Sequence, residues 1–297
     1  MDADTLDHLL KDRCYPLRPA IETQDYDRYL PLDDIENRFT YFVDTHKDKA
    51  RFHRSGHLVY VTGGSGSGKT SMIHRCAYHL KQLLDEVILI DLSSQRWVER
   101  DKELRMRRTF REILGQLRRI VDVSVVSRLL SELEGDVIQA FRELSSTLAK
   151  LTPQRVLVVL LSPEPTAEEL AMFAAATEPR LVFFAELSDI EQIRRSQTEL
   201  PNYQSPQRSV VELRVGRLKP GDGKLLVDGI AQYEQGLPTI PDDIVEKWIE
   251  RNARSILLLK RLTLGVRLLA RERNASTVGP EDVLEYLTLM LHGQEGR

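Results

Sequence analysis

Eight consecutive residues, Gly63-Gly64-Ser65-Gly66-Ser67-Gly68-Lys69-Thr70, have the types and spacing to hold phosphate. Four glycines leave the backbone free to turn successive N–H groups inward, and the lack of side chains lets phosphate oxygens approach the concavity they form. Lys69 is placed to reach the outer phosphates of a nucleoside triphosphate, and the Thr70 hydroxyl to ligate Mg²⁺. The binding set is therefore Gly63, Gly64, Ser65, Gly66, Ser67, Gly68, Lys69, Thr70 and Ser71, with Thr70 as metal ligand and a nucleoside triphosphate with Mg²⁺ as the bound group.

Such a loop works only between a strand and a helix. The β-branched run Leu58-Val59-Tyr60-Val61 precedes it, and Ser71-Met72-Ile73-His74-Arg75-Cys76-Ala77 follows with helical character. A helix beginning near Lys69 adds the positive end of its dipole to the anion site.

Four more buried strands are predicted at Val87–Leu92, Val156–Leu161, Leu181–Leu187 and Ser209–Val215. Helical spacing fills residues 101–150, enough for two or three crossover helices, and an alanine-rich helix is expected at Ala167–Ala176. Strands alternating with helices imply an α/β fold, a five-stranded parallel sheet flanked by helices, with the loop at the strands' carboxyl ends. After Pro220-Gly221-Asp222-Gly223 the pattern is helical only, at Leu225–Gln235, Pro241–Arg251, Ser255–Arg273 and Pro280–Leu291. The expected organisation is an N-terminal arm over 1–55, a nucleotide-binding core over 56–219 and an all-α lid over 220–297. Tyr29, Leu30 and Pro31 in the arm are candidates to line a base pocket, or to be ordinary linker.

Composition narrows the classes. A chain of 297 residues with 41% hydrophobic content supports a sizeable core, and a net charge of −3 gives no basic field of the kind that favours nucleic acid. The stretch Arg105-Met106-Arg107-Arg108 with Arg111, Arg118 and Arg119 is interleaved with Glu99, Asp101, Glu103 and Glu112, as in a salt-bridged solvated face. Cys14 and Cys76 are too far apart in sequence to suggest a metal site, and the pairs His53/His57 and His74/His79 lack the partners zinc needs. No apolar run approaches membrane-spanning length and Met1-Asp2-Ala3-Asp4 has no signal-peptide character, so a cytoplasmic protein is expected.

The loop, the five strands and the C-terminal helices, in this order, resemble the AAA+ and STAND group of P-loop NTPases over roughly residues 25–290. The resemblance implies an acidic residue at the end of the third strand, where magnesium and the attacking water are held. This chain departs there, reading Leu160-Leu161-Ser162-Pro163-Glu164-Pro165, so Glu164 is the first carboxylate available and Asp91 the alternative. The resemblance also implies a polar γ-phosphate sensor at Glu186 or Ser188, an arginine acting in a neighbouring subunit from Arg194, Arg195 or Arg208, and a lid arginine on the γ-phosphate at Arg254, with Arg251, Lys260 and Arg261 close by. The catalytic set is then Lys69, Glu164 and Arg254.

Together these features imply an ATP-binding AAA+/STAND-like protein acting as a nucleotide-dependent switch or ATPase, weak in hydrolysis, with a protein partner or self-association. The alternatives are an oligomeric ATPase motor or loader on nucleic acid, and a small-molecule kinase using the same loop.

Overall fold

The five apolar runs form one parallel sheet in the computed structural model, which describes residues 30–32, 35–95, 97, 101–216, 218–231, 236–252 and 255–295. The strands are β1 (Gly56–Thr62), β2 (Glu86–Asp91), β3 (Arg155–Leu160), β4 (Leu181–Leu187) and β5 (Arg208–Arg214), in the spatial order β2-β3-β4-β1-β5. Burial follows that order. Every residue of β1 is buried, whereas edge strand β5 alternates buried and partly exposed positions, as one covered face requires. Each expected strand is present, with ends that differ by two residues or fewer.

Adjacent residues on β4 show how the two faces are filled, because side chains alternate along a strand. Phe183 meets Phe141 at 5.5 Å and Phe173 at 5.2 Å between ring centroids, and Phe110 joins them through Phe141 at 4.8 Å. Those rings come from helices α4 (Lys102–Leu117), α6 (Val137–Leu151) and α7 (Ala167–Ala176). Phe184 meets Phe42 at 6.0 Å, from helix α1 (Ile35–Thr45). Helices α2 (Lys49–Arg54), α3 (Lys69–Leu83), α5 (Val123–Gly135) and α8 (Ile190–Glu199) complete the set, so the 101–150 region holds three helices.

Caps set the helix starts. Asp101, Asp136, Thr166 and Asp189 each accept a first-turn N–H, from Leu104 at 2.9 Å, Ile138 at 2.7 Å, Glu169 at 3.1 Å and Gln192 at 2.9 Å.

The chain divides into two compact units. Of the described residues, those within 37–63 and 69–214 form the sheet unit, and those within 30–36, 64–68 and 215–295 form the helical unit. The helical unit holds α9 (Asp222–Ala231), a helix interrupted by a π segment (Asp242–Ile244, Val245–Ile249, Glu250–Asn252), α10 (Ile256–Glu272) and α11 (Pro280–Glu295). Gly265 of α10 faces the Tyr286 ring of α11 so closely that a Cβ would overlap it, and Tyr286 is 1% exposed. Leu30 packs against Gly229 of α9. Among the described residues no helix is long and apolar enough to cross a membrane.

Candidate functional site

The strand and helix that the phosphate-loop spacing requires are both present: β1 ends at Thr62 and α3 begins at Lys69. Gly66 and Gly68 adopt φ of +72° and +90°, values that L side chains rarely take, which accounts for glycine at both places. Gly63 donates its N–H to the Leu187 carbonyl at 3.2 Å, tying the start of the loop to the end of β4.

Within the sheet unit, the side chains that follow the loop face carboxylates. Lys69 is buried and donates from Nζ to the Gly63 carbonyl at 3.2 Å. Burial draws its ammonium below the usual range, while Glu186 and then Glu164 favour the charged form. The Thr70 hydroxyl donates to Glu186 Oε2 at 2.8 Å. Parallel pairing sets Glu186 beside Val61, one residue short of the end of β1, which brings its carboxylate to the first turn of α3. Ser71 is half-buried in that turn.

Glu164 lies in the loop after β3, in the left-handed region at φ 53°, and its Oε2 accepts the Ser188 N–H at 3.0 Å. Asp91 ends β2, an edge strand with β3 and β4 between it and β1. It accepts from Ser93 N–H at 2.9 Å and Ser93 Oγ at 2.6 Å, and lies 3.6 Å from His74 Nε2. The structure therefore brings Lys69, Thr70, Glu186 and Glu164 together, and engages Asp91 elsewhere.

Within the helical unit, the loop apex meets the start of α10. The Leu257 N–H donates to the Gly66 carbonyl at 2.9 Å, and Ser255 caps α10 by accepting the Leu258 N–H at 3.2 Å. The Ile256 side chain lies 3.5 Å from the point where a Cβ on Gly68 would stand. Gly216 adopts φ +104° against Ser67, whose buried Oγ has no hydrogen-bond partner among the described residues. Sequence reasoning missed this contact, because residues 66 and 257 are far apart in the chain and Leu257 reads as ordinary helix core.

Of the candidate arginines, Arg195 pairs with Glu168 and lies 3.9 Å from Glu199. Arg208 donates to Glu178 at 2.9 Å and to the Thr177 carbonyl at 3.1 Å. Arg194 is exposed. Arg254 and Tyr29 lie outside the described residues. In the basic helix α4, Arg107 pairs with Glu103 at 2.6 Å, as the charge pattern predicts, whereas Arg105 turns inward to Glu169 at 2.9 Å.

The groups present fit a phosphate chain with a hard divalent cation. Positive-φ glycines leave room for backbone approach, Lys69 supplies a cation, and Thr70 with Glu186 supplies oxygen ligands of the kind magnesium takes. Among the described residues, no three His, Cys, Asp or Glu side chains gather to hold a metal by themselves.

No protein-family model matches the chain, and no curated protein matches it in sequence. Solved structures do. The Holliday junction branch migration motor RuvB of Thermotoga maritima is similar at 14% identity and TM-score 0.50, covering 92% of this chain and 73% of that one. The ORC1 protein of Aeropyrum pernix in complex with DNA is similar at 14% and 0.56, covering 94% and 69%. Drosophila ORC bound to DNA is similar at 15% and 0.53, covering 87% and 60%. The element order, the strand order β2-β3-β4-β1-β5 and the loop between β1 and α3 agree with these likenesses, and the fold of this chain is that of the AAA+ P-loop NTPases.

Proposed function

We propose that the chain binds Mg·ATP and works as a nucleotide-dependent switch with weak hydrolysis. The observation that carries the reading is the hydrogen bond from Leu257 N–H to the Gly66 carbonyl. The loop that would receive phosphate is held at its apex by the first turn of α10, so a ligand that reorients the loop backbone also acts on that helix. A ligand shifts such an equilibrium only by its differential affinity for the two arrangements, and a contact made by the binding loop itself provides that difference.

Lys69 and the backbone of residues 63–68 would hold the phosphates, and Thr70 the magnesium, which neutralises phosphate charge when bound. Ser71 stands beside them as a further phosphate contact. Weak hydrolysis is supported by what ends β3: Leu161 and Ser162 are buried and carry no charge, and Glu164 already holds the Ser188 N–H. Glu164 is the chain's candidate to orient a water, and Arg254 remains the proposed γ-phosphate contact. The domains that follow from this reading are an arm over 1–55, a core over 56–219 and a lid over 220–297.

A second reading, an oligomeric ATPase acting on nucleic acid, draws support from the DNA named for two of the similar structures. Arg194 is the arginine with an exposed position from which to reach a neighbouring subunit, since Arg195 and Arg208 are paired within the chain.

Calorimetry with Mg·ATP on wild type and Lys69→Ala, hydrogen exchange at the Leu257 amide with and without nucleotide, and steady-state hydrolysis at two protein concentrations test these readings together. The switch predicts binding lost in Lys69→Ala, altered exchange at Leu257 and slow, concentration-independent turnover. Turnover that climbs with concentration replaces it by the oligomeric ATPase, and a wild type that binds no nucleotide ends both.

A further inference from the structure

We propose that Glu186, on β4, is the positioning carboxylate of the magnesium site, taking the role expected of an acid at the end of β3. The proposal rests on the Mg·ATP reading above.

A threonine that gives an oxygen lone pair to a cation needs an acceptor for its proton, and that acceptor fixes which way the lone pair points. Glu186 Oε2 already accepts the Thr70 proton at 2.8 Å. The carboxylate also brings a negative charge beside the hydroxyl, and magnesium, which keeps several waters, is commonly held through one or two carboxylates and those waters.

The neighbouring strand is closed to the role. Carrying the parallel register two residues beyond Leu160↔Phe184 sets Ser162 level with Glu186. Ser162 is 3% exposed, and its Oγ accepts from Arg105 Nη2 at 3.2 Å, which also donates to the Pro163 carbonyl at 3.3 Å. Arg105 is fixed there by its ion pair with buried Glu169. A guanidinium thus occupies the ground beside the end of β3 and binds the short hydroxyl that stands where a carboxylate is expected. Glu164, the next acid along, spends Oε2 on the Ser188 N–H from a left-handed backbone. Glu186 is the carboxylate in this group whose bond goes to the loop's own threonine.

The test is a Mg²⁺ titration of the ATP-bound protein, read by calorimetry, beside ATP binding in EDTA. Glu186→Gln keeps an oxygen that accepts from Thr70 but removes the charge. It is expected to weaken the apparent Mg²⁺ affinity by about 10–100-fold, while ATP binding in EDTA is not weakened. Glu164→Gln is expected to move the Mg²⁺ midpoint less than Glu186→Gln does. The assignment is overturned by a wild-type midpoint in Glu186→Gln, by a midpoint shift in Glu164→Gln as large as or larger than that in Glu186→Gln, or by loss of EDTA binding in Glu186→Gln, which would make the residue a structural support of the loop. If wild type binds no ATP in either condition, the underlying reading fails instead of this assignment.

Discussion

Gly66 and Leu257 meet backbone to backbone, the N–H of the second residue of α10 donating to the carbonyl at the apex of the glycine-rich loop at 2.9 Å. Side chains close the same contact. A Cβ added to Gly66 would lie 2.6 Å from Leu257 Cβ and would stand on a backbone at φ +72°. Gly66→Ala is therefore expected to lower stability in urea by at least about 1–2 kcal/mol, the cost of a left-handed L residue before any clash is counted. It should also speed hydrogen exchange at the Leu257 amide. Adding Leu257→Ala should not relieve the defect, because alanine keeps the Cβ that is in the way; full relief from that change would show that the side chain beyond Cβ makes the contact.

Lys69 offers a separation of stability from binding. Its ammonium is buried, and burial disfavours the charged form although Glu186 and Glu164 oppose this. Lys69→Met keeps most of the shape and removes the charge. In the absence of nucleotide the variant should melt no more than a few degrees from wild type, yet ATP should no longer raise its Tm, since that rise depends on ligand bound to the folded state alone. A variant that melts far below wild type without ligand would make Lys69 a structural residue first.

How much of this could be read from the sequence follows from range. The five strands were legible because each is a dense apolar run, and the glycine-rich loop because its chemistry is contiguous. The order β2-β3-β4-β1-β5 was not legible in any run, because the pairing partners of β1 lie on β4 and β5, more than a hundred residues on. The same limit hides the site: Thr70 and Glu186 are 116 positions apart. Glu186 was a candidate as a strand-end polar group and Thr70 as a metal ligand, but their pairing was not foreseen. Arg105 illustrates the opposite error. Its interleaved charges read as a salt-bridged solvated face; Arg107 does pair with Glu103 but also donates to the Leu133 carbonyl and is largely covered, while Arg105 is directed inward by a buried acid on a helix that the sequence places after β3.

Two buried histidines give the protein a predictable response to acid. His46 is 1% exposed, with Nδ1 at 2.9 Å from the Phe42 carbonyl, and His57 is fully buried, its ring 5.1 Å from that of His46. Burial pulls His46 from 6.5 to about 4, only partly opposed by the Phe42 hydrogen bond, with Arg51 and His79 adding to the fall. His57 is drawn down by burial, then by His46 and Arg51. The folded state therefore binds fewer protons than the unfolded one between these values. Stability is complete above pH 6.5 and falls as the pH drops toward 4, at about 1.4 kcal/mol per pH unit for each histidine. Urea denaturation at several pH values checks this, and His46→Phe should make the slope shallower, with His57 and the more weakly lowered His53, His74 and His79 carrying the remainder. A flat profile between pH 7 and 5 would contradict it.

The ion pair of Arg105 with Glu169 is the last contact whose removal has a definite sign. Glu169 is 3% exposed, and burial raises its carboxyl pKa although Arg105 pulls the other way. Arg105→Met leaves that acid buried without its partner, which should cost about 3–5 kcal/mol at neutral pH. An acid whose folded pKa lies above its unfolded one contributes stability below the unfolded value and loses it as pH rises. The deficit of Arg105→Met should accordingly be smaller at pH 5 than at pH 8, because at the lower pH Glu169 can be buried in its neutral form. Arg105→Met with Glu169→Leu should recover most of the loss, since two apolar side chains of similar volume carry no desolvation penalty. A single variant with a pH-independent deficit would show that Arg105 acts through its hydrogen bonds to Ser162 and Pro163 alone, and the double variant would then stay as unstable as the single one.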